Sequence, residues 1–177
     1  MHRHLLALLL SLLITTLLTA CGMSTLIDSY KAESLYRFPA ESVVIKSNGV
    51  SHTFAVMIAD TDIRRSRGLM YTEQLEADNG MLFLFDTPIR PAMWMKNTEI
   101  PLDFLFIANG GKVVYMACNQ TPESTHTIQP DVEVIGVMEL PGGTVERLHL
   151  ETGAVVYQRH FHHRSNTPLS PSTPSSQ

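Results

Sequence analysis

Short apolar runs separated by glycine-containing turns constrain the fold of this chain most strongly. The turns Ser47-Asn48-Gly49 and Asn109-Gly110-Gly111 each separate two runs rich in β-branched and aromatic residues, which is the pattern of a β-hairpin. Strands are predicted at 43–45, 53–58, 81–85, 102–107, 112–118, 133–140 and 154–157. Short helices are predicted at 63–67 and 144–148, because Asp60 or Thr61, and then Thr144, can cap them. The sequence therefore predicts a mainly β domain with minor α (α+β), a small barrel or sandwich with one or two short helices.

Composition along the chain predicts one domain between two extensions. We assign residues 41–160 to the β-rich domain, because the strand and turn signals lie there. Residues 21–40 lack clean periodicity and are predicted to be a tether. Residues 161–177 become rich in Ser, Thr and Pro, and we predict a disordered tail.

The N-terminus has the pattern of a secretory signal. A polar head containing Arg3 precedes the aliphatic run Leu5–Leu18, which is too short to cross a bilayer that needs about 20 residues. The ending Leu18-Thr19-Ala20-Cys21 resembles the lipobox of bacterial lipoproteins. That resemblance implies cleavage after residue 20 and acylation of Cys21, and several acyl chains anchor a protein stably. An ordinary cleaved signal and an uncleaved short anchor remain alternatives.

Charge and cysteine content limit the partners. The formal net charge is −4, which argues against nucleic acid, because phosphate binding needs a concentrated basic surface. The chain has two cysteines, so lipidation of Cys21 leaves Cys118 without an intramolecular disulfide partner. Cys118 ends an apolar run and is predicted to be a buried structural thiol.

Three segments resemble a known family. They are Met93–Asp103, Arg67-Gly68-Leu69-Met70 and Gly80-Met81-Leu82-Phe83, and they are similar in order and spacing to the bacterial and archaeal family named domain of unknown function 192. The resemblance runs from about Thr53 to Val156. It implies a small β-rich fold that is often exported, with no settled activity. Met93 departs from the family, whose members usually carry an aromatic residue before the tryptophan.

The Met93–Asp103 block also supplies a candidate ligand site. In an extended segment Trp94 and Lys96 point to one face, and Met93, Met95 and Asn97 to the other. Asp103 lies in an apolar strand, where an unpaired carboxylate is costly, so we expect Lys96 or Arg67 to pair with it. Our hypothesis is a ligand site formed by Trp94, Lys96, Asn97, Asp103 and Arg67. The alternative is a hydrogen-bonded brace of Lys96, Asn97 and Asp103 around a proline turn, with Trp94 in the core.

Metal and catalytic motifs are weaker. Met93 and Met95 could offer thioethers to Cu(I), and His160-Phe161-His162-His163 could offer imidazoles, but core packing and a solvated tail explain them better. The chain lacks a Gly-x-Ser-x-Gly elbow and a phosphate-binding glycine loop. We therefore assign no metal, no cofactor and no catalytic residue, and lean against an enzyme.

These observations predict a lipoprotein of the cell envelope, anchored to the lipid bilayer through acylated Cys21. Gly22 after the cysteine favours the outer membrane, facing the periplasm, where a cell has two membranes. The expected role is a non-catalytic binding or accessory module for a small polar ligand or an envelope protein, with no nucleic-acid partner. An enzyme using Asp103 and Lys96 as an acid/base pair, or a structural part of an envelope assembly, is the alternative.

Overall fold

The computed structural model describes residues 37–162, and seven β-strands dominate this range. They are β1 (Ala40–Ser47), β2 (Val50–Ala59), β3 (Asn79–Ile89), β4 (Leu102–Ile107), β5 (Val113–Gln120), β6 (Val134–Pro141) and β7 (Val155–Tyr157). Three short helices accompany them, α1 (Asp62–Arg67), α2 (Thr144–Arg147) and α3 (Arg159–His162). The prediction of a mainly β domain with short helices is confirmed.

Several predictions lie outside the described residues: the signal segment 1–20, lipidation of Cys21, most of the tether and the tail beyond residue 162. Within residues 37–162, no helix is long and apolar enough to span a membrane.

The strands form one curled sheet in the order β5-β4-β6-β3-β2-β1-β7. Every pairing is antiparallel except that of β2 with β3, because the chain between those two strands crosses over through α1. The two end strands meet at one end, where Lys112 bridges Val155 and the Val113 N–H donates to the Ala154 carbonyl at 2.8 Å. The sheet is therefore a half-barrel drawn together at one end.

Both faces of the sheet are buried. Alternation along β3 places Leu82 and Leu84 in one apolar cluster, and Met81, Phe83 and Phe85 in the other. The first cluster, the inner core, draws residues from all seven strands. The second, the outer core, includes Leu69 and Met95 from the connecting segments. These segments cover the outer face, and the site described below lies among them.

The domain extends past residue 160. Phe161, which the sequence analysis assigned to the tail, is 1% exposed and belongs to the inner core. Its ring packs against Gly136, where an added Cβ would approach Phe161 Cζ to 2.8 Å. The isolated aromatic residue among histidines gives no periodic signal, so its burial depends on tertiary contacts that the local pattern does not contain.

Candidate functional site

A cavity of about 260 Å³ lies on the outer face of the sheet. One wall is α1 with the residues after it, from Arg65 to Met70, and the other is the segment from Ile89 to Thr98. Phe83 and Phe85 of β3 and Glu139 of β6 complete the lining from the sheet. Two loops and two strands distant in sequence therefore build the cavity together.

The first wall depends on how α1 begins and ends. The Thr61 hydroxyl accepts a hydrogen bond from the Arg64 N–H at 3.3 Å, which caps the start of the helix. The helix ends at Gly68, whose φ of 49° is in the left-handed region. A Cβ at this position would lie 3.2 Å from the Phe83 ring. Glycine thus lets the helix end lie directly on the sheet.

Two arginines of α1 line this wall. Arg65 donates to the Leu84 carbonyl at 2.8 Å and pairs with Asp62 at 2.6 Å, and its guanidinium lies 5.8 Å from the centre of the Phe85 ring. The Arg67 guanidinium lies 4.6 Å from the centre of the Tyr71 ring. Cation–π attraction of this kind holds a charge in place while keeping it near water.

The second wall is an extended segment held by backbone pairing. Met93 exchanges two hydrogen bonds with Ile128, of 3.0 and 2.8 Å, and the Met95 N–H donates to the Ser124 carbonyl at 3.0 Å. Side chains alternate as predicted: Met95 is buried, whereas Trp94 is 51% exposed and Lys96 is exposed. The Lys96 ammonium lies 5.6 Å from the centre of the Trp94 ring. Trp94, Lys96 and Met93 all line the cavity.

Asn97 joins the two walls and does not line the cavity. Its side-chain amide donates to the Tyr71 hydroxyl at 3.0 Å, and its carbonyl accepts from the Tyr71 N–H at 2.7 Å. Its φ of 57° lies in the left-handed region, which asparagine tolerates better than most residues. Asn97 therefore has a structural role, but its partner is Tyr71 and not the Lys96 or Asp103 of the brace alternative.

Asp103 lies elsewhere, and the expectation that Lys96 or Arg67 pairs with it is wrong. Its side chain is completely buried and accepts three backbone N–H groups. Oδ1 accepts from Asn119 at 2.6 Å and Gly143 at 3.2 Å, and Oδ2 accepts from Val145 at 2.7 Å. These bonds tie β4 to β5 and to the start of α2, where the N–H groups of a helix need partners. Asp103 is thus a structural brace.

The enzyme alternative needs Asp103 and Lys96 to act together, and the structure separates them. Within the described residues no ion pair joins the two side chains. Both oxygens of Asp103 already accept backbone hydrogen bonds, whereas Lys96 lies at the Trp94 ring. The structure therefore brings Trp94, Lys96 and Arg67 together at the cavity and leaves Asp103 out.

Glu139 is the lining residue that the sequence analysis missed. It is 4% exposed, and its neighbours in register on the two adjoining strands are Met81 and Phe104, both fully buried. Its Oε2 is buried without a hydrogen-bond partner within the described residues. The sequence does contain a signal for it: Glu139 is a lone carboxylate inside the apolar run 134–140, as Asp103 is within 102–107.

Burial raises the pKa of Glu139 to about 8, because an apolar environment disfavours the charged form. At neutral pH the group is therefore mostly a neutral acid, with one O–H donor and acceptor capacity. Since its folded-state pKa exceeds the ordinary value of 4.5, the folded state binds the proton more tightly than the unfolded state does. The stability that this provides is complete below pH 4.5 and is lost as the pH rises through about 8.

Cys118 is exposed, so the prediction of a buried thiol is wrong. It falls at the far end of β5, where the alternation of buried residues stops after Ala117. Partial desolvation and then the Asp103 carboxylate raise the pKa of the Cys118 thiol, which disfavours the reactive thiolate.

His160 and Met95, one member of each candidate metal cluster, have structural contacts, and His163 lies outside the described residues. His160 Nε2 lies 3.0 Å from the Phe85 carbonyl oxygen, and Met95 is in the outer core. Between residues 37 and 162 no group of three or more His, Cys, Asp or Glu side chains is arranged to hold a metal ion.

Residues 43–157 match the family described as DUF192, Uncharacterized ACR. The chain belongs to this family, as the resemblance of its motifs implied. No curated protein matches the chain.

Two solved structures share the fold. A candidate transcription regulator from Sinorhizobium meliloti 1021, solved at 1.55 Å resolution, is 38% identical with a TM-score of 0.67, and the match covers 68% of this chain and 94% of that one. A protein of unknown function from Novosphingobium aromaticivorans DSM 12444, solved at 1.22 Å, is 29% identical with a TM-score of 0.66. That match covers 67% of this chain and 85% of the other.

We predict that Asp103→Asn destabilises the domain without altering the cavity. The substituted amide cannot accept all three N–H groups and presents its own donors to them, so the free energy of unfolding should fall by about 2 kcal/mol or more. Urea denaturation measures this loss, and Asp78→Asn, at an exposed carboxylate, serves as the matched control. Equal stability of the two variants would contradict the brace.

Proposed function

We propose that the chain is a lipid-anchored protein of the cell envelope whose β domain binds a small polar ligand in the cavity beside Trp94. The single observation that carries the binding role is Glu139, a buried carboxyl group at the cavity with an unpartnered oxygen. Buried polar groups almost always have hydrogen-bond partners. A ligand that supplies the missing partner recovers the cost of desolvating this oxygen.

The surroundings of Glu139 support a binding site. The lining combines apolar rings from β3, the half-exposed Trp94 and the basic side chains Arg67 and Lys96. A concave surface that combines aromatic side chains with a few convergent polar groups is typical of small-molecule sites. The walls are tied together by the Asn97–Tyr71 hydrogen bonds, so the site is formed before a ligand enters.

The anchor rests on sequence alone. The apolar run ending in Leu18-Thr19-Ala20-Cys21 supports export and acylation of Cys21. A tether of about 20 residues would let the cavity face the aqueous side of the membrane, where small polar solutes are found.

The similarity to the Sinorhizobium candidate transcription regulator suggests regulation of transcription as another role, which by direct action would require DNA binding. The formal net charge of −4 of the present chain opposes that role, because non-specific attraction to DNA depends on basic residues. No contact of the described domain favours DNA binding over a small ligand.

If Cys21 is acylated, replacing Cys21 and replacing Cys118 should have different effects on membrane attachment. Cys21→Ala should move the protein from the membrane fraction to the soluble fraction of a bacterial host and remove the acyl mass from its N-terminus, because the thioether link is lost. Cys118→Ala is the matched control and should leave the protein in the membrane fraction. Fractionation with mass spectrometry measures both, and an unaltered protein whose Cys21 carries no acyl group would refute the lipid anchor.

Ligand binding is measurable through Trp94, because the chain has one tryptophan. Small polar compounds of acidic, neutral and basic classes are screened by thermal shift, and the hits are titrated by Trp94 fluorescence. We expect hits whose affinity falls about tenfold in Glu139→Leu, the loss typical of a hydrogen bond to a buried group. The exposed Glu133→Leu is the matched control on the chain leading into the same strand.

Either of two outcomes would contradict the binding proposal. Either no compound of any class binds, or the hits bind Glu139→Leu as tightly as the unaltered protein. Since leucine suits the apolar neighbours Met81 and Phe104, we expect this variant to fold, and its melting temperature verifies that.

A further inference from the structure

We propose that the ligand of this cavity is a small hydroxylated organic acid, with its anionic group at Arg67 and Lys96 and a hydroxyl group at Glu139. This inference rests on the proposed function and adds the chemical class of the ligand. It follows from three properties of the cavity: the sign of charge at its walls, the unpartnered oxygen on the sheet side and the size of the space between them.

The walls favour an anion. Arg65, Arg67 and Lys96 line the cavity, and Glu139 is the sole acidic side chain among the lining residues that the structure describes. Arg65 is already paired with Asp62. The Lys96 ammonium makes no hydrogen bond or ion pair within residues 37–162 and lies 5.6 Å from the centre of the Trp94 ring, so its donors can meet a ligand. A carboxylate or phosphate is the natural partner of such donors.

The sheet side favours a hydroxyl group. Glu139 Oε2 is buried and lacks a hydrogen-bond partner within residues 37–162, although Glu139 lines the cavity. A hydroxyl both donates and accepts, so it can pair with this carboxyl group in either protonation state. An ammonium group would be repelled by the three basic side chains that line the same cavity, and a methyl group would leave the oxygen unsatisfied. The hydroxyl therefore meets both conditions that the cavity imposes.

The volume and the lining of the cavity favour a ligand that contains a single ring. A volume of about 260 Å³ is slightly below the range of roughly 300–1,000 Å³ typical of sites for drug-sized ligands. Met93 and Trp94 lie on one wall, and Phe83 and Phe85 come from the sheet. A flat aromatic ring or the apolar face of a sugar ring can pack against these side chains.

Two matched series of probes test the class by isothermal titration calorimetry at neutral pH. The aromatic series is 4-hydroxybenzoate, benzoate without the hydroxyl, and 4-hydroxybenzyl alcohol without the charge. The sugar series is glucuronate and glucose. We expect at least one hydroxylated acid to bind about tenfold more tightly than each analogue that lacks one of the two groups. The series in which this occurs identifies the kind of ring.

Variants assign each preference to its residue. Lys96→Ala should remove the preference for the acid over the uncharged analogue, and Glu139→Leu should remove the preference for 4-hydroxybenzoate over benzoate. Glu139→Gln keeps a donor and an acceptor and should retain that second preference. Lys112→Ala removes an exposed lysine that does not line the cavity, so it is the matched control for charge and should change neither preference.

The outcomes separate this inference from the proposed function. If uncharged or basic compounds bind and respond to Glu139→Leu while neither acid binds, the ligand class is wrong and the binding role stands. If the acids bind equally well with and without Lys96 and Glu139, the assignment is wrong as well. If no compound of either series or of the broader screen binds, both proposals fail.

Discussion

Burial of the sheet on both faces is the constraint on which the rest of this structure depends. A sheet that curls into a half-barrel fills its inner side with its own side chains, such as Phe54 and Leu105, and here also with Phe161 of α3. Its outer side also presents large apolar residues, including Phe83 and Phe104, which must be covered. No long helix is present within residues 37–162 to cover them, so α1 and the segment around Trp94 do so. The cavity is the space that these two irregular covers leave between them.

Asp103 and Glu139 are both buried acidic residues, but the free-energy cost of burying the carboxyl group is offset differently in each. Asp103 accepts three backbone N–H groups, so its charge holds together β4, β5 and the start of α2. Glu139 has apolar neighbours and an unpartnered oxygen, and an unpaired buried charge costs several kcal/mol. Protonation is the cheaper state, which is why the pKa of Glu139 rises to about 8. Asp103 contributes to stability through these bonds, whereas the stability that protonation of Glu139 provides is lost as the pH rises through about 8.

The sequence predicted the strands well because each is a short apolar run ended by a turn. The Asn109-Gly110-Gly111 turn, the cap at Thr61 and the alternation of Trp94 and Met95 are local features, and the structure has all three. The partners of Asp103 were not predictable, since they are backbone groups 16 to 42 residues away. Phe161 was missed for the same reason, and Glu139 was missed although its setting in an apolar run resembled that of Asp103.

Three of the five predicted site residues line the cavity, and they come from the two segments that form its walls. Trp94 and Lys96 share one extended segment, and Arg67 follows from the helix that faces it, so all three line the cavity. Asn97 and Asp103 are close to Lys96 in sequence but serve to join segments. Nearness along the chain could not distinguish these roles, because the direction of each side chain is set by the pairing of its segment.

The central claim is that Glu139 is an unpaired, buried acid at a ligand cavity, and a carbon-13 NMR titration of the glutamate side-chain carboxyl groups tests it most directly. The resonance of Glu139, assigned by its loss in Glu139→Gln, should titrate with a midpoint near 8, well above the ordinary glutamate value of 4.5. A midpoint for Glu139 near 4.5 would contradict the account, because it would mean that the carboxylate is solvated or paired.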